Sequence, residues 1–362
     1  MSDKRIKVLH IIPSFASGGA ERVLLGYMKD FKDDNDIELY ALALGKKESS
    51  IFDKEIEESN LHIEYAEIDI SSRFSFFKRV IAVRKSVKKI KPDIIHSHLR
   101  TLPYVVTATL FKKVKRIHTI HSVPKISSAG KILFLDTLCF RRFKVLPICL
   151  NKEFANEAKK LYKIDFCEFL YNGIDIEKYQ GLQNKEQLRN EFGIPKDAFV
   201  LGHVGRFVPI KNHKFIIDVF NNIIKENSNS YLLLVGEGPE QTRIKQMCIE
   251  LGINNNVIFV GTRMDVNNIL QIMNAFIFPS INEGLGIALI EAQAAALRCV
   301  ASDTIPKEAI VSSNAILLSL DDPEEWSRKL TDKEHLNSGF SGIENFSIVE
   351  VNKKLKDIYL NI

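Results

Sequence analysis

AFIFPSINEGLGIALIEAQAAALRCVAS, the stretch Ala275–Ser302, carries more structural information than any other part of this sequence. Its apolar start, Ala275–Pro279, predicts a buried strand, and the Glu-Gly-Leu-Gly turn at Glu283–Gly286 leads into a helix. A helix that follows a strand in this way presents free backbone N–H groups at its first turn, where the helix dipole favours an anion. Gly284 and Gly286 let a ligand approach the backbone because no Cβ stands in the way. The stretch therefore predicts a turn that binds phosphate and hydroxyl groups.

Two carboxylates lie on either side of this turn. Glu283 precedes the helix and Glu291 lies about two turns along it, so a rise of about 1.5 Å per residue separates them by up to roughly 12 Å. That separation suits the sugar and the ribose of a nucleotide-sugar. The alternative is an ordinary strand-to-helix crossover with two incidental acids.

The composition places the chain among folded globular proteins. Hydrophobic residues make up 45% of the chain. Its length of 362 residues is enough for two domains of ordinary size. No apolar run is long enough to span a membrane, and the polar N-terminus does not resemble a signal peptide. The five scattered cysteines contain no Cys-x-x-Cys pair, so we expect reduced thiols in a cytoplasmic protein. His96 and His98 alternate on a predicted strand without a carboxylate nearby in sequence, so no metal site and no cofactor are predicted.

The order of the predicted elements indicates an α/β protein. Short runs rich in Val, Ile and Leu alternate with amphipathic stretches, the pattern of parallel βαβ units with right-handed crossovers. A polar segment without a strand signal lies between Asp175 and Asp197, so we place a domain boundary there, with domains at residues 1–177 and 178–345. Strands are predicted at Lys7–Ile12, Ile37–Leu44, Ile94–Ser97, Arg116–Ile120, Val145–Cys149, Phe199–Val204, Tyr231–Val235, Val257–Val260, Ala275–Phe278 and Cys299–Ser302.

Seven segments, taken in order, resemble the motifs of family-four retaining glycosyltransferases of the GT-B fold, and the Glu-x7-Glu spacing described above resembles the signature of that family. The resemblance covers nearly the whole chain. It implies two Rossmann-like, doubly wound domains that face a central cleft, with a C-terminal helix, residues 346–362, that packs back on the first domain. The segments are KVLHIIPSFASGGAERVLLGYM (Lys7–Met28), PDIIHSHL (Pro92–Leu99), RIHTIHSV (Arg116–Val123), YNGIDIEKY (Tyr171–Tyr179), FVLGHVGRFVPIKNHKFIIDVF (Phe199–Phe220), YLLLVGEGPE (Tyr231–Glu240) and VIFVGTRMDVNNIL (Val257–Leu270).

In the first domain, the resemblance implies roles for two glycines and three histidines. Gly18 and Gly19 match the Gly-Gly loop that faces the donor phosphates. His98, His118 and His121 match the strand ends on the acceptor side. His121 is expected near the anomeric centre as a catalytic residue, with His118 pointing the same way.

In the second domain, the resemblance implies a donor site. Gly205, Arg206 and Lys211 match a Gly-Arg-x4-Lys motif, and the two cations are expected to neutralise the charge that builds on the leaving diphosphate. Gly236 and Gly238 match the Gly-x-Gly-Pro turn.

Further donor contacts are implied by the loop near the nucleotide base and by the Glu-x7-Glu segment. Arg263 stands in that loop. Glu291 is expected to accept the ribose hydroxyls, because a carboxylate can accept two O–H donors at once, and Glu283 is expected to face the donor sugar. The backbone of Gly284, Leu285 and Gly286 is expected to hold hydroxyls or phosphate.

The resemblance also implies retention of configuration without a metal ion. Two cations and a helix N-terminus already face the diphosphate. No carboxylate nucleophile of the usual retaining kind is identifiable, so a front-face displacement with the leaving phosphate as base is expected.

The chain departs from the family pattern after Glu291. The usual Gly-x-Pro-Val is replaced by Ala296-Leu297-Arg298-Cys299, and the following Gly-Gly turn by Thr304-Ile305-Pro306. The second replacement resembles a subset of exopolysaccharide and capsule glycosyltransferases. The four charged residues of the motifs are unchanged, but this region assigns no donor sugar.

A basic segment predicts where the protein works. In the helix predicted over Phe74–Ile90, the apolar Phe77, Val80, Ile81, Val83, Val87 and Ile90 are expected to form an inner stripe, with the basic residues outside and Phe74 and Phe76 at the edge. This arrangement suits the anionic inner face of a cell membrane, and the alternative is a solvated helix face. Between Ser71 and Arg116 only Asp93 is acidic, against thirteen basic residues: Arg73, Lys78, Arg79, Arg84, Lys85, Lys88, Lys89, Lys91, Arg100, Lys112, Lys113, Lys115 and Arg116.

The sequence therefore predicts a cytoplasmic, peripherally membrane-associated glycosyltransferase. It is expected to move a sugar from a nucleotide-diphosphate donor, with UDP favoured by resemblance, to a lipid-linked or polysaccharide acceptor. One alternative is a sugar-nucleotide epimerase of the same double-Rossmann shape, which would need acid and base groups at the sugar and no acceptor. Another is a catalytically silent protein that binds nucleotide-sugars.

Overall fold

The chain folds into two compact units, each built on a parallel sheet. The computed structural model describes residues 5–15, 19–47, 52–69, 74–127, 130–332 and 340–362. The first unit comprises Met1–Gly173 and Val349–Ile362, and the second comprises Ile174–Ile348. The predicted domain boundary follows residue 177, and the predicted C-terminal segment begins at residue 346. Gly18 and Arg73 lie outside the described residues.

The first unit contains a seven-stranded parallel sheet in the order β3-β2-β1-β4-β5-β6-β7. The central part of this order is that of doubly wound dinucleotide-binding domains. The strands are β1 Ile6–Ile12, β2 Ile37–Ala43, β3 Ile63–Tyr65, β4 Ile94–His98, β5 Lys115–Ile120, β6 Leu146–Cys149 and β7 Glu168–Phe169. The helices are α1 Gly19–Asp30, α2 Asp53–Ser59, α3 Ser75–Ile90, α4 Leu102–Ala108, α5 Pro124–Ser127, α6 Lys131–Arg142 and α7 Lys152–Tyr162.

The second unit repeats this winding with six parallel strands in the order β10-β9-β8-β11-β12-β13. Its strands are β8 Phe199–Val204, β9 Ser230–Val235, β10 Val257–Gly261, β11 Ala275–Phe278, β12 Arg298–Ser302 and β13 Ala315–Leu318. Its helices are α8 Lys185–Glu191, α9 His213–Glu226, α10 Gln241–Glu250, α11 Val266–Leu270, α12 Ile287–Ala294 and α13 Pro323–Thr331.

Burial on both faces explains why most strands are recognisable as continuous apolar runs. Leu232, Leu233 and Leu234 of β9, for example, are 0% exposed although they point to alternate faces. The α/β prediction is confirmed, and all ten predicted strands are present within one or two residues. The three strands that were not predicted, β3, β7 and β13, each lie at the edge of a sheet and are short and mostly half-buried.

The helix at the C-terminal end, α14 Ile348–Asn361, belongs to the first unit, as predicted. Lys356 Nζ lies 2.7 Å from Asp34 Oδ2, in the turn before β2. Leu355 is fully buried, and Tyr359 is 1% exposed with its hydroxyl 2.8 Å from His96 Nδ1. Apolar packing, an ion pair and a buried hydrogen bond therefore tie this helix to the sheet.

The predicted inner stripe of α3 is wrong at two positions. Val80, Val83, Val87 and Ile90 are buried, but Phe77 is 66% and Ile81 is 51% exposed. At about 100° per residue, Phe77 and Ile81 lie well away from the centre of the buried side. They share the outer face of the helix with its basic residues.

Among the described residues, no helix combines the length and the apolar character that a membrane span requires.

The packing of α14 generates a stability prediction. We expect Leu355→Ala to lower the free energy of unfolding by about 2–5 kcal/mol, because it leaves a cavity in a closed core. Chemical denaturation followed by circular dichroism measures this loss. Leu360→Ala is the matched control, since Leu360 on the same helix is 47% exposed, and its effect should be small. Equal effects of the two substitutions would contradict the observed orientation of the helix.

Candidate active site

The loops after β8 and β9 are locked together by backbone hydrogen bonds. Phe207, which is fully buried, donates from its N–H to Glu237 O at 3.0 Å and accepts from Glu240 N at 3.0 Å. A Cβ on Gly236 would lie 2.3 Å from Gly205 O, and one on Gly238 would lie 2.5 Å from Phe207 O. The glycines of the predicted Gly-x-Gly-Pro turn are therefore required first for close packing of the two loops.

The two predicted phosphate cations lie in different surroundings. Arg206, which follows Gly205, is exposed, and no carboxylate within the described ranges pairs with it. Lys211 ends a short 3-10 turn, and its side chain is only 19% exposed. Its Nζ forms an ion pair with Glu283 and lies 5.0 Å from the centroid of the Phe278 ring. The structure thus brings together the cation predicted for the diphosphate and the carboxylate predicted for the sugar.

Backbone geometry at the start of α12 requires a glycine. Gly286 has a φ of +75°, which L-residues with a side chain rarely adopt, and a Cβ there would lie 3.1 Å from Phe278 Cε1. Leu285 is 2% exposed and anchors the turn by its burial in the core, while Gly284 is half-buried. The turn and the first N–H groups of α12 therefore lie beside the Lys211–Glu283 pair, as the anion-binding prediction requires.

Glu291 is held inside the second unit by a tyrosine. The carboxylate is 5% exposed, and the Tyr179 hydroxyl donates to its Oε1 at 2.6 Å. Tyr179 was not predicted as a site residue, although it ends the YNGIDIEKY segment. A separation of 112 positions conceals the contact in the sequence.

Arg263 forms hydrogen bonds with two carboxylates of its own unit. Its guanidinium donates to Asp265 at 2.7 and 2.8 Å and to Glu191 at 3.1 Å. The hydrogen bonds with Asp265 and Glu191 hold the pKa of Arg263 above its ordinary value. This residue therefore organises the loop after β10, and any contact with a base would come in addition to that role.

In the first unit, His98 and His121 lie together. His98 Nδ1 is 3.0 Å from His121 Nε2, and His98 Nε2 is 2.9 Å from His10 Nδ1. Burial lowers the pKa of His121 to about 4. The imidazole of His121 is therefore neutral near pH 7.

His10, His96 and His98 form a cluster that the sequence did not predict. Each offers a ring nitrogen, and these nitrogens lie within 4.8 Å of one another. His10 lies on β1, and the other two lie on β4. These strands are far apart in the sequence but pair in parallel, and that pairing creates the cluster. Its chemistry is considered below.

His118 does not accompany His121. Its Nδ1 lies 2.9 Å from Ser97 Oγ, and its ring lies 6.1 Å from that of Phe140, in the apolar core beneath α6. Side chains alternate along a strand, so His118 points to the opposite face from Thr119 and from the His96 and His98 layer. The expectation that His118 points the same way as His121 is wrong.

Gly19 begins α1, and a Cβ there would meet nothing within 4 Å. Open space at this helix start is compatible with the predicted approach of a ligand. Gly18, predicted beside it, lies outside the described residues.

Two family models match the chain in succession. The model described as Glycosyltransferase Family 4 matches residues 17–178, and the model described as Glycosyl transferases group 1 matches residues 184–338. Together they span both units.

Two named relatives match most of the chain. The UDP-Gal:alpha-D-GlcNAc-diphosphoundecaprenol alpha-1,3-galactosyltransferase of Escherichia coli is 28% identical, over 79% of this chain and 79% of the relative. The capsular polysaccharide biosynthesis glycosyltransferase CapH of Staphylococcus aureus is 27% identical, over 98% of this chain and 99% of the relative.

The fold is also found in a solved structure. The crystal structure of Anabaena HepE in complex with UDP-glucose superposes with a TM-score of 0.84 at 19% identity, over 99% of this chain and 100% of that chain. The two family models identify the chain as a member of the family-four glycosyltransferases, and the structural likeness shows the GT-B fold.

Proposed function

We propose that the protein transfers a sugar, with retention of configuration, from a UDP-sugar to a lipid-linked or polysaccharide acceptor in the synthesis of a cell-surface polysaccharide. The observation that carries this proposal is the Lys211–Glu283 pair beside the first turn of α12. The names of the Escherichia coli and Staphylococcus aureus relatives support the class of donor and acceptor.

The Lys211–Glu283 pair allows one site to recognise both the phosphate end and the sugar end of a sugar diphosphate. A diphosphate near the first N–H groups of α12 competes for Lys211, because its two phosphates together carry two negative charges and attract an ammonium more strongly than one carboxylate does. Glu283 then becomes available to accept hydrogen bonds from sugar hydroxyls. Exposed Arg206 supplies the second cation with a planar, bidentate guanidinium.

Glu291 is suited to the ribose because it is already oriented. Tyr179 holds one of its carboxylate oxygens at 2.6 Å, and each oxygen has two lone-pair positions. A carboxylate fixed in this way accepts the 2′- and 3′-hydroxyls without the loss of side-chain freedom that a mobile glutamate would incur.

The chemistry expected at this site is a front-face displacement. The bond between the anomeric carbon and the leaving phosphate oxygen breaks while the acceptor oxygen approaches on the same face. The leaving phosphate takes the acceptor proton. Arg206, Lys211 and the α12 N-terminus stabilise the charge on that phosphate. In the first unit, the resemblance implies that His121 contacts the substrate.

A panel of sugar nucleotides tests this function. Thermal shift identifies the donor, because a ligand that binds only the native state stabilises it by mass action. Incubation of that donor with and without a polyprenyl-diphosphate-linked sugar then separates three outcomes. Net transfer to the acceptor supports the proposal, interconversion of the free sugar nucleotide indicates an epimerase, and binding without turnover indicates a silent binding protein.

Substitutions in the second unit test the donor site. Lys211→Ala, Arg206→Ala and Glu291→Ala should each lower kcat by about a hundredfold or more, because each removes a charged contact to the donor. Lys214→Ala is the matched control, since exposed Lys214 lies three residues after Lys211 and forms an ion pair with Asp218 of its own helix. Steady-state kinetics at saturating donor measures the effect. A wild-type kcat for Lys211→Ala would show that the diphosphate binds elsewhere.

Treatment with a chelator tests whether the protein's own cations support transfer without a metal ion. Activity should survive excess chelator, since Arg206, Lys211 and the α12 N-terminus supply the electrostatic stabilisation that a bound Mg²⁺ supplies in other enzymes. Transfer rates before and after dialysis against chelator provide the measurement. A complete loss that added Mg²⁺ reverses would contradict metal independence.

We also propose that the first unit docks on an anionic membrane through α3 and α6. The outer face of α3 combines exposed Phe74, Phe77 and Ile81 with Arg84, Lys85 and Lys88. Helix α4 contacts both α3 and α6, so the three helices lie on one side of the sheet.

Helix α6 adds to this surface. Phe134 is 70%, Leu135 is 45% and Leu138 is 40% exposed, and Arg141 and Arg142 follow at the exposed end of the helix. Exposed aromatic and aliphatic side chains beside basic ones are the composition of a helix that lies in the headgroup region of a membrane. Anionic phospholipid is the occupant that satisfies both the apolar and the basic side chains.

Vesicle sedimentation tests this docking. Binding to vesicles that contain phosphatidylglycerol should be lost in high salt and weakened when Arg84, Lys85, Lys88 and Lys89 are reversed to Glu, each basic residue near the surface contributing about 1 kcal/mol. Phe77→Ser with Ile81→Ser should weaken binding at low salt as well. Equal binding to neutral and anionic vesicles, or no binding to either, would contradict the proposal.

A matched charge reversal in the second unit controls for net charge. Lys185, Lys214, Lys225 and Lys329 are all exposed, and their reversal changes the charge of the protein by the same amount. Binding should persist in that variant.

A further inference from the structure

Six polar side chains form an unbroken hydrogen-bonded chain through the first unit, from Thr119 to His121. The contacts run from Thr119 Oγ1 to His96 Nε2 (2.7 Å), His96 Nδ1 to the Tyr359 hydroxyl (2.8 Å), that hydroxyl to His10 Nε2 (3.2 Å), His10 Nδ1 to His98 Nε2 (2.9 Å) and His98 Nδ1 to His121 Nε2 (3.0 Å). We call these six residues the imidazole chain. All of them except half-buried His121 are buried.

Every imidazole of the chain is neutral near pH 7. Burial lowers the pKa of His10 to about 3 and that of His121 to about 4. Burial, reinforced by the neighbouring histidines, holds the pKa of His96 and of His98 well below the ordinary value. Burial also raises the pKa of Tyr359, so its hydroxyl keeps its proton.

A chain of neutral imidazoles has only two consistent arrangements of protons. Each neutral ring donates through one nitrogen and accepts through the other, and the Tyr359 hydroxyl donates once. If Thr119 donates to His96, the donors continue in one direction until His98 donates to His121. If His121 donates to His98, every bond is reversed and Thr119 accepts from His96.

Thr119 decides between the two arrangements. Its side chain is 6% exposed, and in the described part of the chain its hydroxyl has no polar partner other than His96 Nε2. In the reversed arrangement the hydroxyl proton would be buried without an acceptor, which is unfavourable. The arrangement in which Thr119 donates uses every donor of the chain.

We infer that the imidazole chain fixes His121 as the tautomer with its proton on Nδ1, so that His121 presents an N–H donor at its open end. His10, His98 and Tyr359 act as positioning residues. This inference rests on the proposed function for its catalytic meaning. Within that function, His121 donates a hydrogen bond to a substrate oxygen and does not act as a general base, because its Nε2 already accepts from His98.

The hydrogen bonds also argue against a metal ion at His10, His96 and His98. Both ring nitrogens of each histidine already face a partner in the chain. A metal would have to break the His10–His98 bond to reach either nitrogen. Metal analysis of the purified protein is therefore included in the test.

Nitrogen NMR of protein labelled with ¹⁵N at histidine tests the inference without reference to activity. The His121 signals, assigned by their loss in His121→Gln, should show a protonated Nδ1 and an unprotonated Nε2. Free imidazoles favour the opposite tautomer, so the expected spectrum is distinctive. Tyr359→Phe removes one donor and one acceptor in the middle of the chain and should move His121 towards the ordinary mixture.

Two further variants keep the test independent of folding defects. Thr119→Val is nearly isosteric and reaches His121 through four intervening side chains of the chain, so it should also shift the His121 tautomer. Tyr162→Phe is the matched control, because Tyr162 is buried in the same unit within an apolar cluster that contains none of the six residues of the chain, and it should leave the His121 signals unchanged.

The kinetic readout depends on the proposed function. Tyr359→Phe should lower kcat by about three- to tenfold, the value of one neutral hydrogen bond, with the KM for donor unchanged. Absence of transfer in the wild type would overturn the proposed function and leave the NMR result intact. A protonated Nε2 on wild-type His121, an unchanged tautomer in both variants, or a stoichiometric metal lost in His10→Ala would overturn the imidazole chain.

Discussion

Parallel pairing of every strand determines where the chemistry of this protein is placed. Parallel strands require a crossover between each pair, so all strands of a sheet end at the same edge. In the second unit, Gly205 follows β8, Gly236 follows β9 and Glu283 follows β11, and these three strands are neighbours. The sheet topology alone therefore brings residues that are far apart in the sequence to one small region.

The two units use this shared topology in different ways. In the second unit the described strands are mostly apolar, and His203 of β8 is the one histidine buried within them. In the first unit, one face of the sheet carries His10, His96 and His98 inside the strands. Buried polar groups are costly unless each has a partner. The hydrogen bonds of Tyr359 and Thr119 complete this face, so α14 supplies a polar partner as well as apolar cover.

The sequence predicted the features that depend on local pattern. Continuous apolar runs identified ten strands, and the spacing of Glu283 and Glu291 located a turn at which Lys211 is indeed found. Short edge strands such as β3 were missed because a half-buried run of three residues carries no periodic signal.

The features that depend on distant pairing were not visible in the sequence. Tyr179 contacts Glu291 and His10 contacts His98 only because the fold brings separate strands and turns together. Exposure was also misjudged where two faces of one helix are both apolar, as at Phe77. The side of the strand on which His118 points follows from alternation, but the resemblance that suggested its role does not include that constraint.

The division of the first unit into two segments has a consequence for biosynthesis. Helix α14 follows the entire second unit in the chain, although it belongs to the first. During translation, α14 therefore cannot pack on the histidine face of the first sheet until the whole of the second unit has been synthesised. The two ends of the second unit meet where Ile348 N donates to Ile174 O at 2.9 Å. This unit is therefore fully synthesised before α14. The first unit thus begins to form earlier at the ribosome but reaches its native state last.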